Sequence, residues 1–378
     1  MAIKQNAIEE VRDQLKSLWL HRKGNDAHAA VQDCIDALYS KDELKPLIIK
    51  KSKDGEVWAF NIFLPPGTGF TDFQKKTQLF ADSTGGSVHI EKHGKLVTME
   101  VMTEELKNKY PYSLYDHTKY SKMELPLPLG VSAKGLIVRD LVDYPHLLTA
   151  GETNYGKSNQ LHVIANSILL YRQDTHLIII DPKSTEFDYL GEMALVVDEM
   201  SQVKGLFESL NKEMDKRKKI LKSVSCAKIK KYHEKGHAMP YIVLIIDEWA
   251  DLPEDAQDSL WRLLRMGRFV GVHVIAATQR PSSKVFEKFG DLKAMFLGRL
   301  CFVVADTINS RIILDSDEAA YLPALKGRAI YKCGLEKLEV QTLLLEPDEA
   351  IKLYNNRTII TRSELIKIEQ PRKMLSPR

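Results

Sequence analysis

A glycine-rich run at residues 151–158 has the composition of a phosphate-binding loop. It reads GETNYGKS and matches the pattern GxxxxGK[ST] in full. The glycines let the backbone wrap closely enough for its N–H groups to face phosphates. In this pattern Lys157 contacts the β- and γ-phosphates of ATP, and the Ser158 hydroxyl binds Mg²⁺. The predicted nucleotide-binding residues are Gly151, Glu152, Thr153, Asn154, Tyr155, Gly156, Lys157, Ser158 and Asn159.

A pair of carboxylates, Asp247 and Glu248, follows the apolar run YIVLII at 241–246. A carboxylate at the end of a buried strand can hold Mg²⁺ through water, and an adjacent glutamate can orient the attacking water. An acidic pair in this position can also cap a helix. Together with the phosphate-binding loop, however, the pair favours ATP hydrolysis, with Asp247 as a metal ligand.

The amide Gln279 follows another apolar run, at 272–278. An amide at the end of a strand could sense the γ-phosphate of the nucleotide. A loop amide without any special role is an equally good interpretation of this residue alone.

These residues belong to a region, about 129–350, in which predicted strands alternate with helices. A helix is predicted over 161–171. The strands are predicted at 146–150, 176–181, 241–247, 272–278 and 299–304. Continuous apolar strands between helices indicate a parallel sheet that is covered on both faces. The predicted fold class is therefore α/β, with a mainly parallel sheet.

The sequence outside this region predicts a helical segment, a small domain, a linker and a tail. Residues 1–45 have the apolar periodicity of helices. Residues 46–110 predict a small α+β domain, with a helix over 73–80 and a hairpin turn at 92–94. Residues 111–128, rich in Pro, Tyr and Ser, are predicted as a linker, and residues 351–378 as a charged tail.

The composition is that of an ordinary globular protein, with 44% hydrophobic residues, 28% charged residues and a net charge of +3. A charge this small does not indicate a polyanionic partner, so a basic surface would need local clustering. The four cysteines form no CxxC pair, which is typical of reduced thiols in a cytoplasmic protein. The first ten residues are too polar for a signal peptide, and no apolar run approaches the roughly 20 residues of a membrane span. We therefore expect a cytoplasmic protein without direct membrane insertion.

Six motifs in consecutive order resemble those of the FtsK/SpoIIIE family of double-stranded DNA translocases. They are PHLLTAGETNYGKS at 145–158, IDPK at 180–183, IDEWADL at 246–252, GRFVGVH at 267–273, ATQRP at 277–281 and SRIILD at 310–315. The resemblance covers about residues 129–345. Residues 47–110 resemble, more weakly, the small α+β domain that precedes the motor in this family.

The resemblance implies a RecA-like fold that assembles as a ring of six, with DNA in the pore and ATP between subunits. It implies that Lys157 and Ser158 contact the phosphates and Mg²⁺, that Asp247 is the Mg²⁺ carboxylate and that Glu248 is the catalytic base. Arg268 matches the arginine that family members donate to a neighbour's ATP. A guanidinium supplied in trans would stabilise the charge of the transition state.

A translocase must hold DNA phosphates without reading bases. Family analogy places its DNA-contacting loops between Gln279 and Arg311. The candidate DNA-binding residues are Arg280, Lys284, Lys288, Lys293 and Arg311. The most basic stretch, 212–235, could also contact DNA, but an exposed helix with acidic partners is the slightly favoured interpretation.

Three features depart from the family pattern. Asn154 and Tyr155 replace the small residues that are usual inside the loop, and Thr307 stands where the family often has a lysine. We also expect neither the membrane-spanning region nor the winged-helix DNA reader of the large family members, because the predicted tail is too short for a winged helix.

The predicted function is therefore an ATP-driven pump for double-stranded DNA, independent of base sequence, with ATP and Mg²⁺ as cofactors. Its expected partners are duplex DNA, five further copies of the chain and, for work at a membrane, a recruiting protein. A conjugation or mobile-element coupling ATPase, a genome-packaging ATPase and a RecA-like helicase are alternatives. A nucleotide switch that does no mechanical work is less favoured.

Overall fold

The computed structural model describes residues 27–40, 42–54, 57–94, 96–102, 106–172, 174–183, 186–279 and 292–354. They form two compact units: the first lies before residue 107 and includes 133–135, and the second comprises 107–132 and the chain from 136 onward. Among these residues, no helix combines the length and the apolar character that crossing a membrane requires. All four cysteines are free.

The first unit is a four-stranded antiparallel sheet with helices packed on one face. Its strand order is β1-β2-β4-β3. Alternate residues of the strands, among them Phe60, Ile62 and Met99, are buried against Val31 and Ile35 of the first helix. The elements are α1 (Ala27–Leu38), β1 (Leu47–Asp54), β2 (Val57–Phe63), α2 (Phe70–Gln74), α3 (Thr77–Thr84), β3 (Ser87–His93) and β4 (Leu96–Met102).

Two features of this unit differ from the sequence-based expectation. The strand β1 was not predicted, because its sequence LIIKKSKD carries lysines instead of an alternating apolar pattern. Such a sequence suits the edge of a sheet, where charged side chains can stay in water. The helix expected over 73–80 is two short helices, separated by a turn at residues 75 and 76. The hairpin between β3 and β4 is confirmed.

The second unit is built on a ten-stranded sheet. Its order is β10-β9-β11-β12-β8-β13-β14-β15-β6-β7, and the neighbours from β10 to β13 are parallel. The strands β13, β14, β15 and β6 pair antiparallel. The strands are β5 (Tyr110–Pro111), β6 (Pro126–Ser132), β7 (Gly135–Asp140), β8 (Leu147–Ala150), β9 (His176–Ile180), β10 (Leu195–Val197), β11 (Ile242–Ile246), β12 (Val272–Thr278), β13 (Gly298–Phe302), β14 (Arg328–Cys333), β15 (Glu336–Gln341) and β16 (Leu343–Leu344).

Helices cover the parallel part of this sheet. The helices α5 and α7 pack on the face that carries Leu148, Ile178, Leu244 and Val274, and α4, which is almost entirely buried, packs against β6 and β9. The helices are α4 (Lys157–Tyr171), α5 (Met200–Ser223), α6 (Ile229–Glu234), α7 (Gln257–Val270), α8 (Thr307–Leu314) and α9 (Pro347–Tyr354). Short 3-10 helices lie at Tyr112–Leu114, His117–Tyr120, Asp188–Leu190, Trp249–Asp251, Glu254–Ala256, Leu292–Met295 and Glu318–Tyr321. The predicted α/β class is confirmed.

Residues 111–128 are not a free linker, contrary to the prediction. The hydroxyl of Tyr112 lies 3.0 Å from that of Ser167 in α4, and Tyr112 and Leu125 are buried. The prediction rested on Pro, Tyr and Ser content, which does not distinguish a linker from an irregular segment packed on a core. The start of the predicted tail is likewise the end of α9, where Tyr354 donates a hydrogen bond of 2.5 Å to Asn166. The rest of the predicted N-terminal helical segment, residues 1–26, and the rest of the predicted tail, residues 355–378, lie outside the described part of the chain.

Candidate nucleotide-hydrolysis site

The phosphate-binding loop joins the end of β8 to the start of α4, as the sequence predicted. Gly151 and Gly156 have φ angles of 148° and 111°, which residues with a side chain rarely adopt. A Cβ atom on Gly151 would lie 2.6 Å from the Cβ of Phe302, so a larger residue would displace β13 from the loop. The glycines therefore permit both the turn and its close approach to the sheet.

The middle of the loop explains one departure from the family pattern. Asn154 has a φ angle of 69°, and asparagine is one of the few residues that enter this left-handed region readily. The carbonyl oxygen of Tyr155 accepts a hydrogen bond of 2.9 Å from the N–H of Gly327, and the N–H of Glu152 donates one of 2.9 Å to Val303. Main-chain hydrogen bonds thus hold the GETNYGKS loop at Glu152 and at Tyr155.

Lys157 is the charged group of the loop. Its side chain is buried, with 6% exposed, and its Nζ donates hydrogen bonds of 2.8 and 3.3 Å to the carbonyl oxygens of Gly151 and Glu152. Burial lowers the pKa of Lys157 to about 8, although Glu248 and Asp247 favour the charged form. A phosphate oxygen would be a stronger acceptor for this ammonium than the two carbonyls. The lysine environment therefore fits a polyphosphate.

Asp247, at the end of β11, provides a buried carboxylate near this lysine. It is 2% exposed; burial raises its pKa, and Lys183 opposes that shift. The Nζ of Lys183 donates a hydrogen bond of 3.3 Å to Asp247 Oδ2. Lys183 was not predicted as a site residue. Its position depends on Asp181, whose carboxylate accepts backbone N–H bonds from residues 183, 186 and 187.

A Mg²⁺ ion that accompanies the nucleotide would need oxygen ligands beside the phosphate-binding loop. Among the described residues, no group of three or more His, Cys, Asp or Glu side chains has the arrangement of a metal centre. This agrees with the chemistry of nucleotide-bound Mg²⁺, which takes one or two protein ligands and otherwise phosphate oxygens and water. Ser158 and Asp247 are protein oxygens of the right kind for such partial coordination.

Glu248 is linked to the phosphate-binding loop by a short chain of hydrogen bonds. Its Oε2 accepts a bond of 2.9 Å from the backbone N–H of Gln279, and its Oε1 accepts one of 3.2 Å from Ala250. The side-chain Oε1 of Gln279 in turn accepts a bond of 2.7 Å from the hydroxyl of Thr153. The structure therefore brings together the loop, the predicted base and the predicted sensor. Nothing in the loop motif indicated the contact between the Thr153 hydroxyl and Gln279.

Asn159 uses its side chain differently from the other predicted loop residues. Its Nδ2 donates a bond of 2.6 Å to the carbonyl of Leu343, and its Oδ1 accepts one of 3.0 Å from the N–H of Leu345. The amide therefore anchors β16 against α4. Because the side chain is occupied in this way, the nucleotide contact predicted for Asn159 would have to come from its backbone N–H.

A cleft of about 470 Å³ adjoins the loop on this side. It is lined by Gly156, Ser158, Asn159, His162, Glu186, Lys326, Gly327 and residues 341–347, with Asn108 and Lys109. The Nε2 of His162 lies 3.6 Å from a carboxylate oxygen of Glu186. None of the three polar residues His162, Glu186 and Lys326 was predicted: Glu186 and Lys326 are distant in sequence from the loop motif, and His162, four residues after it, is not part of the motif pattern.

Arg268 lies near the beginning of β12, at the opposite end of the central strands from the phosphate-binding loop. It is in the last turn of α7, which precedes β12, and it lines a pocket of about 260 Å³ with Pro145 and Lys228. The phosphate-binding loop and Gln279 follow the other ends of β8 and β12. A strand rises about 3.3 Å per residue, so the seven residues of β12 span roughly 23 Å. The structure does not bring Arg268 to the nucleotide loop of its own chain.

The predicted DNA-binding residues divide into two groups. Arg280, Lys284 and Lys288 lie outside the described residues. Lys293 and Arg311 form intramolecular ion pairs: Lys293 Nζ lies 2.5 Å from Asp315, and the Arg311 guanidinium pairs with Asp317 at 2.6 Å. Arg299 and Lys332 also bind Asp315. These three cations around Asp315 stabilise the C-terminal end of α8, as positive charges do at a helix C-terminus.

The basic stretch 212–235 comprises the second half of α5 and all of α6. Arg217 is 3% exposed; it pairs with Glu213 at 3.0 Å and donates to the carbonyls of Pro240 and Val270. Asp215 pairs with Arg262 of α7 at 2.5 Å. These contacts agree with the interpretation of a surface helix packed on the core.

Comparisons with known proteins place these features in a family context. The FtsK/SpoIIIE family model matches residues 112–283. The DNA translocase FtsK of Treponema pallidum is 30% identical over 305 residues, 74% of this chain and 38% of that protein. The FtsK of Chlorobaculum tepidum is 36% identical over 227 residues, 54% of this chain and 28% of that protein. The chain thus spans about a third of the length of these relatives.

A solved structure supports the fold independently. The conjugation coupling protein TcpA of pCW3, in its monomer form with ATPγS, matches with a TM-score of 0.61 at 24% identity. The match covers 87% of this chain and 99% of that chain.

Proposed function

We propose that this chain is a member of the FtsK/SpoIIIE family, whose model matches residues 112–283, and that it is an ATP-driven translocase that moves double-stranded DNA through a ring of six identical subunits. The hydrogen-bond chain from Thr153 through Gln279 to Glu248 carries this proposal. It joins the nucleotide loop to the carboxylate that would act in hydrolysis, and Gln279 immediately precedes the segment 280–291, which holds three of the candidate DNA-binding residues.

Within the site, each described residue has a role that its surroundings support. Lys157 binds the β- and γ-phosphates in place of its present carbonyl partners. Glu248 accepts a proton from the water that attacks the γ-phosphate, and its two hydrogen bonds to backbone N–H groups fix its orientation. Gln279 reports the presence of the γ-phosphate to the segment that follows it. Mg²⁺ bound by Ser158 and Asp247 would neutralise phosphate charge.

The cleft beside the loop takes the nucleoside. Its volume of about 470 Å³ lies within the range of small-molecule sites. It shares Gly156 and Ser158 with the phosphate-binding loop, so a nucleotide could occupy both at once. The polar residues Glu186 and Lys326 are available there for the ribose and the base.

The position of Arg268 supports a ring. Because the length of the central strands separates Arg268 from the nucleotide loop of its own chain, this arginine can contribute to hydrolysis only at the site of another subunit. An arginine supplied in trans makes turnover depend on assembly and contributes strongly to the rate. The pocket around Arg268 and Lys228 would then face the neighbouring nucleotide.

A triplex-displacement assay tests the proposal. A pump that tracks along duplex DNA removes a third strand in an ATP-dependent reaction and leaves the duplex intact. Release of a labelled strand from a forked duplex, without triplex displacement, would favour a helicase instead. Glu248→Gln serves as the matched inactive control, because it preserves the size of the side chain.

A coupling ATPase for conjugation is the second candidate, because the fold match to TcpA covers 87% of this chain. Deleting the gene would then abolish transfer of a conjugative element and leave chromosome segregation normal. The opposite pattern would assign the pump to the chromosome.

A further inference from the structure

His146 lies at the start of the strand that leads to the phosphate-binding loop, and its backbone is in an uncommon conformation. Its φ angle is 66°, in the left-handed region that few residues with a side chain adopt. Only 1% of the residue is exposed. Such a conformation persists where the surrounding contacts fix it, so the contacts of this histidine indicate why it is retained.

Both ring nitrogens of His146 have partners whose roles are fixed. The backbone N–H of Val274 in β12 donates to Nδ1 at 2.9 Å, so Nδ1 carries no proton. Nε2 lies 2.8 Å from the carbonyl oxygen of Leu264 in α7, which can only accept, so Nε2 carries the proton. Burial lowers the pKa of His146 to about 4, and the charge of Arg268 acts in the same direction. The ring is therefore neutral at physiological pH and keeps this tautomer.

The carbonyl that His146 binds is in the turn that carries Arg268. In an α-helix the carbonyl of Leu264 also accepts the backbone N–H of residue 268, four residues later. The imidazole thus bonds to the same oxygen as the main chain of Arg268. It fixes the last turn of α7 against β8 and β12.

Further contacts of His146 extend to the neighbouring strand. Its carbonyl oxygen accepts a hydrogen bond of 3.4 Å from Gly298 at the start of β13, and its ring lies edge-on to Phe296 at 6.1 Å. The adjacent buried histidine, His273, differs: within the described part of the chain, neither of its ring nitrogens has a hydrogen-bond partner. Of these two buried histidines, it is therefore His146 whose ring hydrogen-bonds the arginine-bearing helix, next to the strand that ends in the nucleotide loop.

We propose that His146 is a positioning residue, which holds Arg268 in the orientation needed to reach the nucleotide of a neighbouring subunit. The inference rests on the proposed trans role of Arg268. His146 itself cannot touch its own nucleotide, because the four residues of β8 place it roughly 13 Å or more from the loop. Since β8 leads directly into that loop, the same contact links the nucleotide site of one subunit to the arginine that it offers to the next.

A double-mutant cycle on ATP turnover tests this inference. His146→Asn removes both ring contacts, and asparagine tolerates the left-handed backbone. Arg268→Lys keeps a positive charge, so a measurable rate should remain. We expect each variant to lower kcat about 10- to 100-fold, as small displacements of a catalytic group do. Each should change ATP affinity less than about 3-fold, because neither contacts the nucleotide of its own chain.

The double variant decides the question. If His146 acts through Arg268, the pair should turn over no more slowly than Arg268→Lys alone. Losses that multiply, or a large loss of ATP affinity in His146→Asn, would overturn the inference. Normal turnover in both Arg268→Lys and Arg268→Ala would instead refute the proposed role of Arg268 in trans. That outcome is distinct from one that refutes the positioning role of His146 alone.

Two further variants keep the result interpretable. His273→Leu replaces the neighbouring buried imidazole, which holds no helix, and should keep near-normal kcat. If thermal unfolding shows that His146→Asn does not fold, Phe296→Leu takes its place in the cycle, since it removes ring packing and keeps both hydrogen bonds. It should lower kcat mildly and lose that effect in the Arg268→Lys background; an undiminished effect there would overturn the inference.

Discussion

The backbone N–H of Gln279 donates a 2.9 Å hydrogen bond to the carboxylate of Glu248, so the end of β12 and the end of β11 meet at one acidic group. The side chain of Gln279 accepts a hydrogen bond from Thr153 in the phosphate-binding loop. A change in the loop on nucleotide binding would therefore act on the proposed base and on the chain that follows Gln279 at the same time.

Thr153→Val should weaken this connection without removing the loop. The variant removes the hydroxyl group and keeps nearly the same side-chain shape. A single neutral hydrogen bond contributes about 0.5–1.5 kcal/mol. We expect a fall in kcat of about 2- to 10-fold with little change in ATP affinity, measured by steady-state turnover and nucleotide titration. Thr307→Val, outside the site, is the matched control. Equal rates for the two variants would show that the Thr153–Gln279 contact is not used.

Glu248→Gln should abolish most hydrolysis while ATP still binds. The amide keeps the size of the side chain but cannot accept the proton of the attacking water, and loss of a general base costs about 10²- to 10⁴-fold. Single-turnover hydrolysis and equilibrium ATP binding measure the two effects separately. Asp251→Asn changes an exposed carboxylate three residues away and should have no effect. A variant Glu248→Gln that hydrolyses ATP normally would exclude this residue as the base.

ATP binding should take up a proton above pH 8. Burial lowers the pKa of Lys157 to about 8 from 10.5, so at pH 9 the free protein holds this lysine mostly as the neutral amine. Phosphates favour the ammonium and raise its pKa, so binding takes up as much as one proton and affinity falls as pH rises above 8. Calorimetry in buffers of different ionisation enthalpy measures the uptake.

Lys157→Arg provides the control for this prediction. Arginine stays charged over this pH range, so the variant, although its affinity is expected to be lower, should show no uptake. Binding to the unaltered protein at pH 9 without proton uptake would contradict the assigned environment of Lys157.

Arg268→Ala and Lys157→Ala should each be inactive alone and regain activity when mixed. In a mixed ring, an intact loop from an Arg268→Ala subunit can face an intact arginine from a Lys157→Ala subunit. ATP turnover of the mixture, compared with each variant alone, measures this complementation. Arg262→Ala changes an arginine of the same helix that pairs with Asp215, and should be near normal. An Arg268→Ala protein with full turnover would exclude the trans role.

The sequence predicted the parallel sheet well because its strands are uninterrupted apolar runs. The predicted strand at 272–278 is observed with the same bounds. The hairpin of β14 and β15 was not individually predicted. Its strand sequences, RAIYKC and EKLEVQ, mix charged and apolar residues, so neither has the continuous apolar run of the parallel strands. The edge strand β1 escaped prediction for the same reason.

The candidate site divides in a similar way. The glycine-rich loop and the acidic pair have local sequence signatures, and the structure places them together. The contacts of Lys183 with Asp247 and of His162 with Glu186 join residues that are 64 and 24 positions apart in the chain. Such contacts depend on how strands and loops meet, which no local pattern specifies. The role proposed for His146 likewise depends on a tertiary contact, because its ring bonds to a carbonyl of α7, which packs beside β8.

The dependence of ATP turnover on duplex DNA tests the central claim most directly. The rate would be measured with no DNA, with short duplexes and with duplexes of several kilobases, with Glu248→Gln as the control for contaminating activity. A DNA pump predicts strong stimulation, on the order of tenfold or more, that grows with duplex length because a moving ring remains on long DNA. Turnover that is the same with and without duplex DNA would contradict the account.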